Sequence, residues 1–216
     1  MIIAVDGTAA SGKGSLARNL SMSLNLLHLD TGILYRILAY KAVNFGHLKD
    51  EKSINYLINY AKQLTIKEIE TIKSNKGIDL KSATISQKSS EIAMVESVRK
   101  ELTKIQRRYS KIKHSKHRGI VLDGRDIGTV VFPNAEFKFY LDADIKIRAK
   151  RRTEELIHLN YKVIYHKVLQ DLVIRDERDK NRSIAPLRKA NDAIFIDTSL
   201  KSEEKVLQEA LDFISN

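Results

Sequence analysis

The chain predicts an α/β fold: a doubly wound, parallel, five-stranded sheet in three layers, with a phosphate loop and a long insertion. Three observations carry this. An apolar run near the start ends in a glycine-rich turn, four more short apolar runs recur along the 216 residues, and stretches of helical spacing lie between them. Strands separated by helices pair in parallel through right-handed crossovers.

The first strand, residues 2–5, runs through Asp6 into Gly7-Thr8-Ala9-Ala10-Ser11-Gly12-Lys13-Gly14-Ser15. That spacing suits a phosphate-cradling loop. Glycines let successive backbone N–H groups turn inward around phosphate oxygens, and the helix that follows offers its positive N-terminal end. Lys13 then reaches the β- and γ-phosphates. Gly14 intervenes before Ser15, and a Gly-Lys-Gly-Ser ending resembles the nucleoside-monophosphate kinase form of the loop. The second strand, residues 26–29, leads into Asp30-Thr31-Gly32-Ile-Leu-Tyr35-Arg36. Ligands of open α/β folds bind at this carboxyl end of the sheet, so Arg36 is placed to face a phosphate. Ile33, Leu34, Ile37 and Leu38 then mark a helix.

About ninety residues separate the second strand from the third, far more than one crossover helix needs. Something is inserted there. Polar and apolar residues alternate over 64–72 and 77–80 around Ser74-Asn-Lys-Gly77, which predicts a small hairpin. Ile92, Val95, Val98, Leu102 and Ile105 predict one helix. The third strand, residues 119–122, closes on Asp123-Gly124-Arg125-Asp126. Asp123 ends it as a magnesium-associated acid would, through a water because Mg2+ gives up its hydration shell reluctantly. Plain loop capping is the alternative for Asp123 and Asp126. The fourth and fifth strands are residues 137–141 and 193–196. Between them, about residues 161–187, a second excursion carries Arg175-Asp-Glu-Arg-Asp-Lys-Asn-Arg182. Its plain alternative is a solvated helix with charge pairs three and four apart. Ser202, with Glu203 and Glu204 behind it, starts the last helix.

Composition narrows the function classes. Without cysteine, a disulfide framework, a cysteine-ligated zinc and a thiol nucleophile are excluded. The apolar N-terminal run is broken by Asp6 after five residues, so it reads as a strand and not a signal peptide, and no run reaches membrane-spanning length. The net charge of +11 favours anionic partners, although lysines such as Lys62, Lys67, Lys111, Lys113 and Lys116 fit solvated helix faces equally well. A GTP-dependent switch needs an Asn-Lys-x-Asp element, and the Asn-Lys-Gly at Asn75 is followed by Ile78. A nucleic-acid module would use the basic stretch 100–116, where Tyr109 is the only aromatic, so only weak oligonucleotide binding is expected. None of the six histidines has a part in this chemistry; His114 and His117 read as a solvated face.

Four motifs together resemble the bacterial cytidylate kinases, over nearly the whole chain. They are the loop from Gly7 to Ser15, Asp30-Thr-Gly-Ile-Leu-Tyr-Arg36, Asp123-Gly-Arg-Asp-Ile-Gly-Thr-Val-Val-Phe-Pro133 and Arg175-Asp-Glu-Arg-Asp-Lys-Asn-Arg-Ser-Ile-Ala-Pro186. The resemblance implies a single P-loop kinase domain, with a monophosphate-binding insertion over about residues 38–100 and a lid over about 148–187. It implies transfer of the γ-phosphoryl of ATP to CMP, and to dCMP, with Mg2+. UMP, AMP or another small acceptor is the alternative within the same fold.

Carried over residue by residue, the resemblance puts Thr31, Arg36 and Arg125 around the CMP phosphate and ribose. Ser90, or its neighbour Ser89, goes to the cytosine edge with Arg99 and Asp126. Arg175 and Asp179 lie near the ribose and reacting phosphates, while Arg148, Arg178 and Arg182 belong to the lid or face the transferring group. Ser15 and Asp123 accompany the metal. The implied partners are small nucleotides, with no specific nucleic acid and no membrane, for a monomer in the cytoplasm. The chain departs from the family at Thr8-Ala9, which replaces a proline-containing loop start, and at Thr31, which stands where Ser is common.

Overall fold

The computed structural model describes residues 1–43, 50–75, 77–111 and 117–215. Lys113, His114 and Lys116 lie outside the described residues. The chain divides into two compact units, one of Met1–Leu29 with His114–Asn216 and one of Asp30–Lys113.

The first unit is built on the sheet, with strands β1 (Ile2–Gly7), β2 (Leu27–Asp30), β3 (Ile120–Gly124), β4 (Phe137–Asp142) and β5 (Ile194–Asp197) in the order β2-β3-β1-β4-β5. The five expected runs are the five strands, each within two residues of the predicted ends. β1 pairs in parallel with β3 on one side and β4 on the other, and β4 pairs in parallel with β5. A strand flanked on both sides and covered on both faces reads as a continuous apolar run. Ile3, Ala4 and Val5 are accordingly fully buried. The register sets Val5 opposite Asp123, Gly7 opposite Leu141 and Asp142 opposite Asp197. The loops after β1, β3, β4 and β5 therefore leave from one level.

Helix α1 (Lys13–Leu24) buries Leu16, Ala17 and Leu20, and α9 (Glu203–Ser215) buries Val206 and Ala210, in one cluster with Ile3, Val5, Val121, Phe139 and Ile196. Each large apolar side chain so buried is worth about 1.5–3 kcal/mol. Ser202 Oγ accepts from Lys205 N, as its place before Glu203 and Glu204 predicts. Helices α7 (Ile145–His158) and α8 (Tyr165–Asn181) pack through Ala149, Val168 and Leu172, and Ala9 of the glycine-rich loop joins that cluster. The loop thus rests on α7 and on α8, the helix of the second excursion.

The second unit is helical among the described residues: α2 (Gly32–Lys41), α3 (Glu51–Gln63), α4 (Ile66–Ser74), α5 (Ala83–Ile92) and α6 (Glu96–Ser110). Two expectations are corrected here. The first arm of the predicted hairpin is helix α4, and residues 77–80 are turn and irregular chain without a strand. Thr65 Oγ1 accepts from Glu68 N at its start, a capping arrangement written in Thr65-Ile-Lys-Glu68, and Ile69 and Ile72 turn to the core one helical step apart. The single helix expected through Ile92 and Ile105 is two helices. Backbone bonds from Met94 N to Glu91 O and from Val95 N to Ile92 O close a turn between α5 and α6. Lys62, Lys67 and Lys111 are exposed, as solvated helix faces. No helix among the described residues is long and apolar enough to cross a membrane.

Replacing Thr65 with Ala should remove the α4 cap and cost about 1 kcal/mol of stability. A denaturant midpoint unchanged from the parent would show that packing of Ile69 and Ile72 alone holds α4.

Candidate active site

The glycine-rich loop is shaped by backbone demands. A Cβ on Gly7 would stand 2.1 Å from Leu141 O, so no side chain fits where β1 leaves the sheet beside β4. Gly12 holds φ 87 at the head of α1, with nothing within 4 Å of where a Cβ would be. Ala10 lies in the left-handed region at φ 59, a conformation costing an L-residue roughly 1–2 kcal/mol. Ala10 is thus held against its own backbone preference.

Its side chains divide the work. Thr8 is fully buried and donates to Asp142 Oδ1 at 2.6 Å, so its hydroxyl braces the loop against the end of β4. Ser11 O accepts from Thr198 Oγ1 at 2.9 Å. Ser11 Oγ is buried with no hydrogen-bond partner among the described residues. Lys13 Nζ folds back to Thr8 O at 3.1 Å, which keeps the ammonium over the loop. Ser15 Oγ accepts from Arg18 at 3.4 Å. A cavity of about 220 Å³ opens beside Gly12 and Ser15, lined also by Arg151, Thr198 and Lys201.

Arg148 braces the loop from behind. It is buried, and its guanidinium donates to Ala143 O at 2.8 Å, Ala9 O at 3.2 Å and Asp176 Oδ2 at 2.6 Å. The charge is spent on the protein.

At the end of β3, Asp123 meets a residue to which the sequence assigned nothing. His28 Nε2 lies 2.7 Å from Asp123 Oδ1, while Asp123 Oδ2 is 3.7 Å from the position of a Cβ on Gly14. The next two residues enter a charged cluster. Arg125 Nε donates to Asp179 Oδ2 at 2.8 Å, and Arg182 lies 3.7 Å from Asp179 and 3.9 Å from Asp126. Burial alone would raise the Asp179 carboxyl, but the Arg125, Arg175 and Arg182 guanidinia outweigh it and hold Asp179 below the ordinary carboxylate range. Burial likewise opposes charge on Arg125, and Asp179 beside it overcomes that and keeps the guanidinium firmly protonated. The solvated-helix alternative fails for this face of α8: Asp176 and Asp179 are buried and the Arg182 side chain is only 4% exposed. Arg178 is part-exposed on the same helix.

Residues 126–131 are shaped by Asp6, which sequence reasoning also passed over. Its buried carboxylate accepts from Ile127 N at 2.8 Å and Gly128 N at 2.7 Å. The chain there makes one π-type turn, Ile127–Val131, with Val131 N bonded to Asp126 O. Burial pushes the Asp6 carboxyl up to about 7, against the pull of those two N–H groups. A carboxylate ending the central strand one residue before the loop was the signal for it.

In the second unit, Arg36 donates to Leu80 O at 2.7 Å and Ser86 Oγ at 2.9 Å. Arg99 is buried, donates to Ala93 O and lies 5.5 Å from the ring of Tyr35, Arg36's neighbour. Ser89 and Ser90 are both buried on α5, and Ser89 Oγ donates to Ser86 O. Thr31 is buried at the head of α2, where Gly32 N is capped by Asp30 Oδ1.

The family model for cytidylate kinases matches residues 3–216. The chain belongs to the cytidylate kinase family. It is 41% identical to the cytidylate kinase of Bartonella tribocorum over 99% of this chain and 94% of that protein. With that of Clostridioides difficile it shares 36% identity over 100% of this chain and 98% of the relative. Two solved structures share the fold: TT1252 from Thermus thermophilus, with TM-score 0.51, and an uncharacterized protein from Eubacterium ventriosum, with 0.52. Each is 14% identical; this chain is covered fully, and those chains to 96% and 98% respectively. In this member of the cytidylate kinase family the loop, Asp123, Arg125, Asp126 and the α8 cluster all belong to the first unit, and the α2, α5 and α6 residues to the second.

The raised Asp6 carboxyl has a pH signature. Between the ordinary 3.8 and about 7 the folded protein keeps a proton that the unfolded chain has released. The native state then binds more protons, so this group's contribution to stability falls as pH rises through that window. The thermal midpoint of the parent minus that of Asp6→Asn should therefore shrink from pH 4.5 to pH 8. A difference that is flat or grows would contradict the assignment.

Proposed function

We propose that this chain phosphorylates CMP and dCMP at the expense of ATP by in-line transfer of the γ-phosphoryl group. The observation that carries this reading is family membership over residues 3–216 in a chain whose phosphate loop and buried Arg–Asp cluster are both intact. Its partners are small nucleotides, and it acts as a monomer in the cytoplasm.

In such transfers charge spreads over the equatorial oxygens of the moving group, so catalysis is largely positioning and electrostatic stabilisation. Residues 7–15 cradle the donor phosphates, with Lys13 as their cation. The orphaned, buried Ser11 hydroxyl and the strained backbone at Ala10 support a ligand there. The cavity by Gly12, Arg151 and Thr198 suits the donor's nucleoside. Arg125, Arg178 and Arg182 face the reacting phosphates, and Asp179 with Arg175 holds that group of charges in place. Because Arg125 and Arg182 are paired with Asp179 before substrate arrives, they need no reorganisation during the reaction.

Arg148, given to the nucleotide by resemblance, is better read as the brace of the loop, because its guanidinium is taken up by Ala9 O, Ala143 O and Asp176. Residues of about 148–187 form the lid, and those of about 38–100 the monophosphate-binding insertion. On the acceptor, Thr31, Arg36 and Arg125 take the phosphate and ribose, while Arg99, Asp126 and Ser90 read cytosine. Ser90 is preferred to Ser89, whose hydroxyl is committed to Ser86 O.

Oxygen donors fit Mg2+, which takes few protein ligands beside substrate phosphates and water. Ser15 Oγ and, through water, Asp123 would hold it. Bound there, Mg2+ would neutralise charge on the donor phosphates.

An acceptor panel of CMP, dCMP, UMP, AMP, GMP and TMP with ATP and Mg2+ tests the reading. The Asp126 carboxylate accepts from the exocyclic amine of cytosine, whereas uracil presents an acceptor to an acceptor. UMP should be a much poorer substrate than CMP, and Asp126→Asn should narrow that ratio while leaving the KM for ATP nearly unchanged. Equal rates on CMP and UMP in the parent would favour a generic monophosphate kinase.

Arg182→Ala should lower kcat roughly ten- to a hundredfold, the worth of a charge-assisted hydrogen bond of about 1.5–3 kcal/mol. It should also lower the thermal midpoint, because Asp126 and Asp179 lose a buried counter-charge. Parent kinetics in a folded variant would remove Arg182 from the reaction.

A further inference from the structure

His28 on β2 reaches Asp123 on the adjacent strand β3, Nε2 to Oδ1 at 2.7 Å, with the two side chains 17% and 7% exposed. With Asp123 as the acceptor, the ring donates from Nε2. The other oxygen, Oδ2, faces Gly14 in the first turn of α1, between Lys13 and Ser15. A carboxylate turns broadly about χ2 on its own. A ring donor held on one oxygen restricts that rotation and decides where the other points.

We propose that His28 is a positioning residue: it aims the Asp123 carboxylate at the Gly14–Ser15 turn and thereby sets the affinity for the divalent cation that accompanies the donor nucleotide. The inference rests on the reading of Asp123 as a metal-side acid. Outer partners that orient metal-side groups typically govern metal affinity by 10- to 100-fold. His28→Gln retains an amide N–H able to reach the same oxygen. His28→Leu carries no donor, and His28→Asn is too short to reach.

The test measures Mn2+ binding by electron paramagnetic resonance, in the full chain with a non-hydrolysable ATP analogue. Thermal midpoints check that each variant folds, and His28→Asn carries the test should His28→Leu not fold. His28→Leu and His28→Asn should weaken Mn2+ binding roughly tenfold. His28→Gln should stay near the parent, and metal-free affinity for the analogue should be the same in all. Mn2+ binding at parent strength in His28→Leu and His28→Asn overturns the proposal. So does an equal loss in His28→Gln, or a parallel loss of metal-free analogue binding, which would mean that the loop itself had loosened. Asp123→Asn separates the two layers. If it leaves Mn2+ affinity unchanged, the reading of Asp123 falls and this inference with it. If it weakens Mn2+ while the His28 variants do not, only this inference falls.

Discussion

β1 is hydrogen-bonded along both edges, to β3 and to β4, and the chemistry of the first unit is arranged from its end. Because the pairing is parallel and the register places Asp6 beside Gly124 and Gly7 beside Leu141, three loops start at one level. Asp6 then ties two of them together: its backbone runs into the phosphate loop while its carboxylate holds Ile127 N and Gly128 N. Gly7 permits the close approach to Leu141 O that lets the chain leave the strand there. A slip of one residue in β1 would move Asp6 to the other face of the sheet and take its carboxylate from both donors.

Around that frame the unit buries more charge than a core tolerates unpaired. Arg125, Arg182, Asp126 and Asp179 compensate one another, and Arg148 with Asp176 forms a second buried pair. Such pairs seldom add net stability, because desolvation offsets much of their attraction. What they do provide is position. Arg125 and Asp179 hold each other ionised, so the arrangement of the cluster is fixed by the protein's own charges. Arg148 does similar service for the loop, joining Ala9, Ala143 and α8 through one planar guanidinium.

Most of the first unit was legible in the sequence. Short apolar runs, the glycine-rich turn and a carboxylate at the end of a buried strand are local signals, and each survives folding. In the second unit two local signals compete. Over 64–72 the alternation of polar and apolar residues is imperfect, whereas Thr65 with Glu68 is a cap and Ile69 with Ile72 is a helical step. Apolar spacing also ran unbroken from Ile92 to Ile105 because the turn between α5 and α6 keeps Ile92 and Val98 on one core. Helical period alone does not reveal a stop when residues on both sides face the same cluster.

By itself, the sequence determined the parallel sheet, the phosphate loop and the identity of the charged residues, because strand burial, backbone turning and side-chain chemistry are properties of short segments. The tertiary structure alone decided which charges meet. His28 and Asp123 are 95 residues apart, Asp6 and Gly128 are 122, and Arg148 and Ala9 are 139. No local pattern encodes such pairings; they follow from strand order and register. The same register decided that Thr8 and Arg148 brace the loop, since whether a polar group is spent on protein depends on what folding sets beside it.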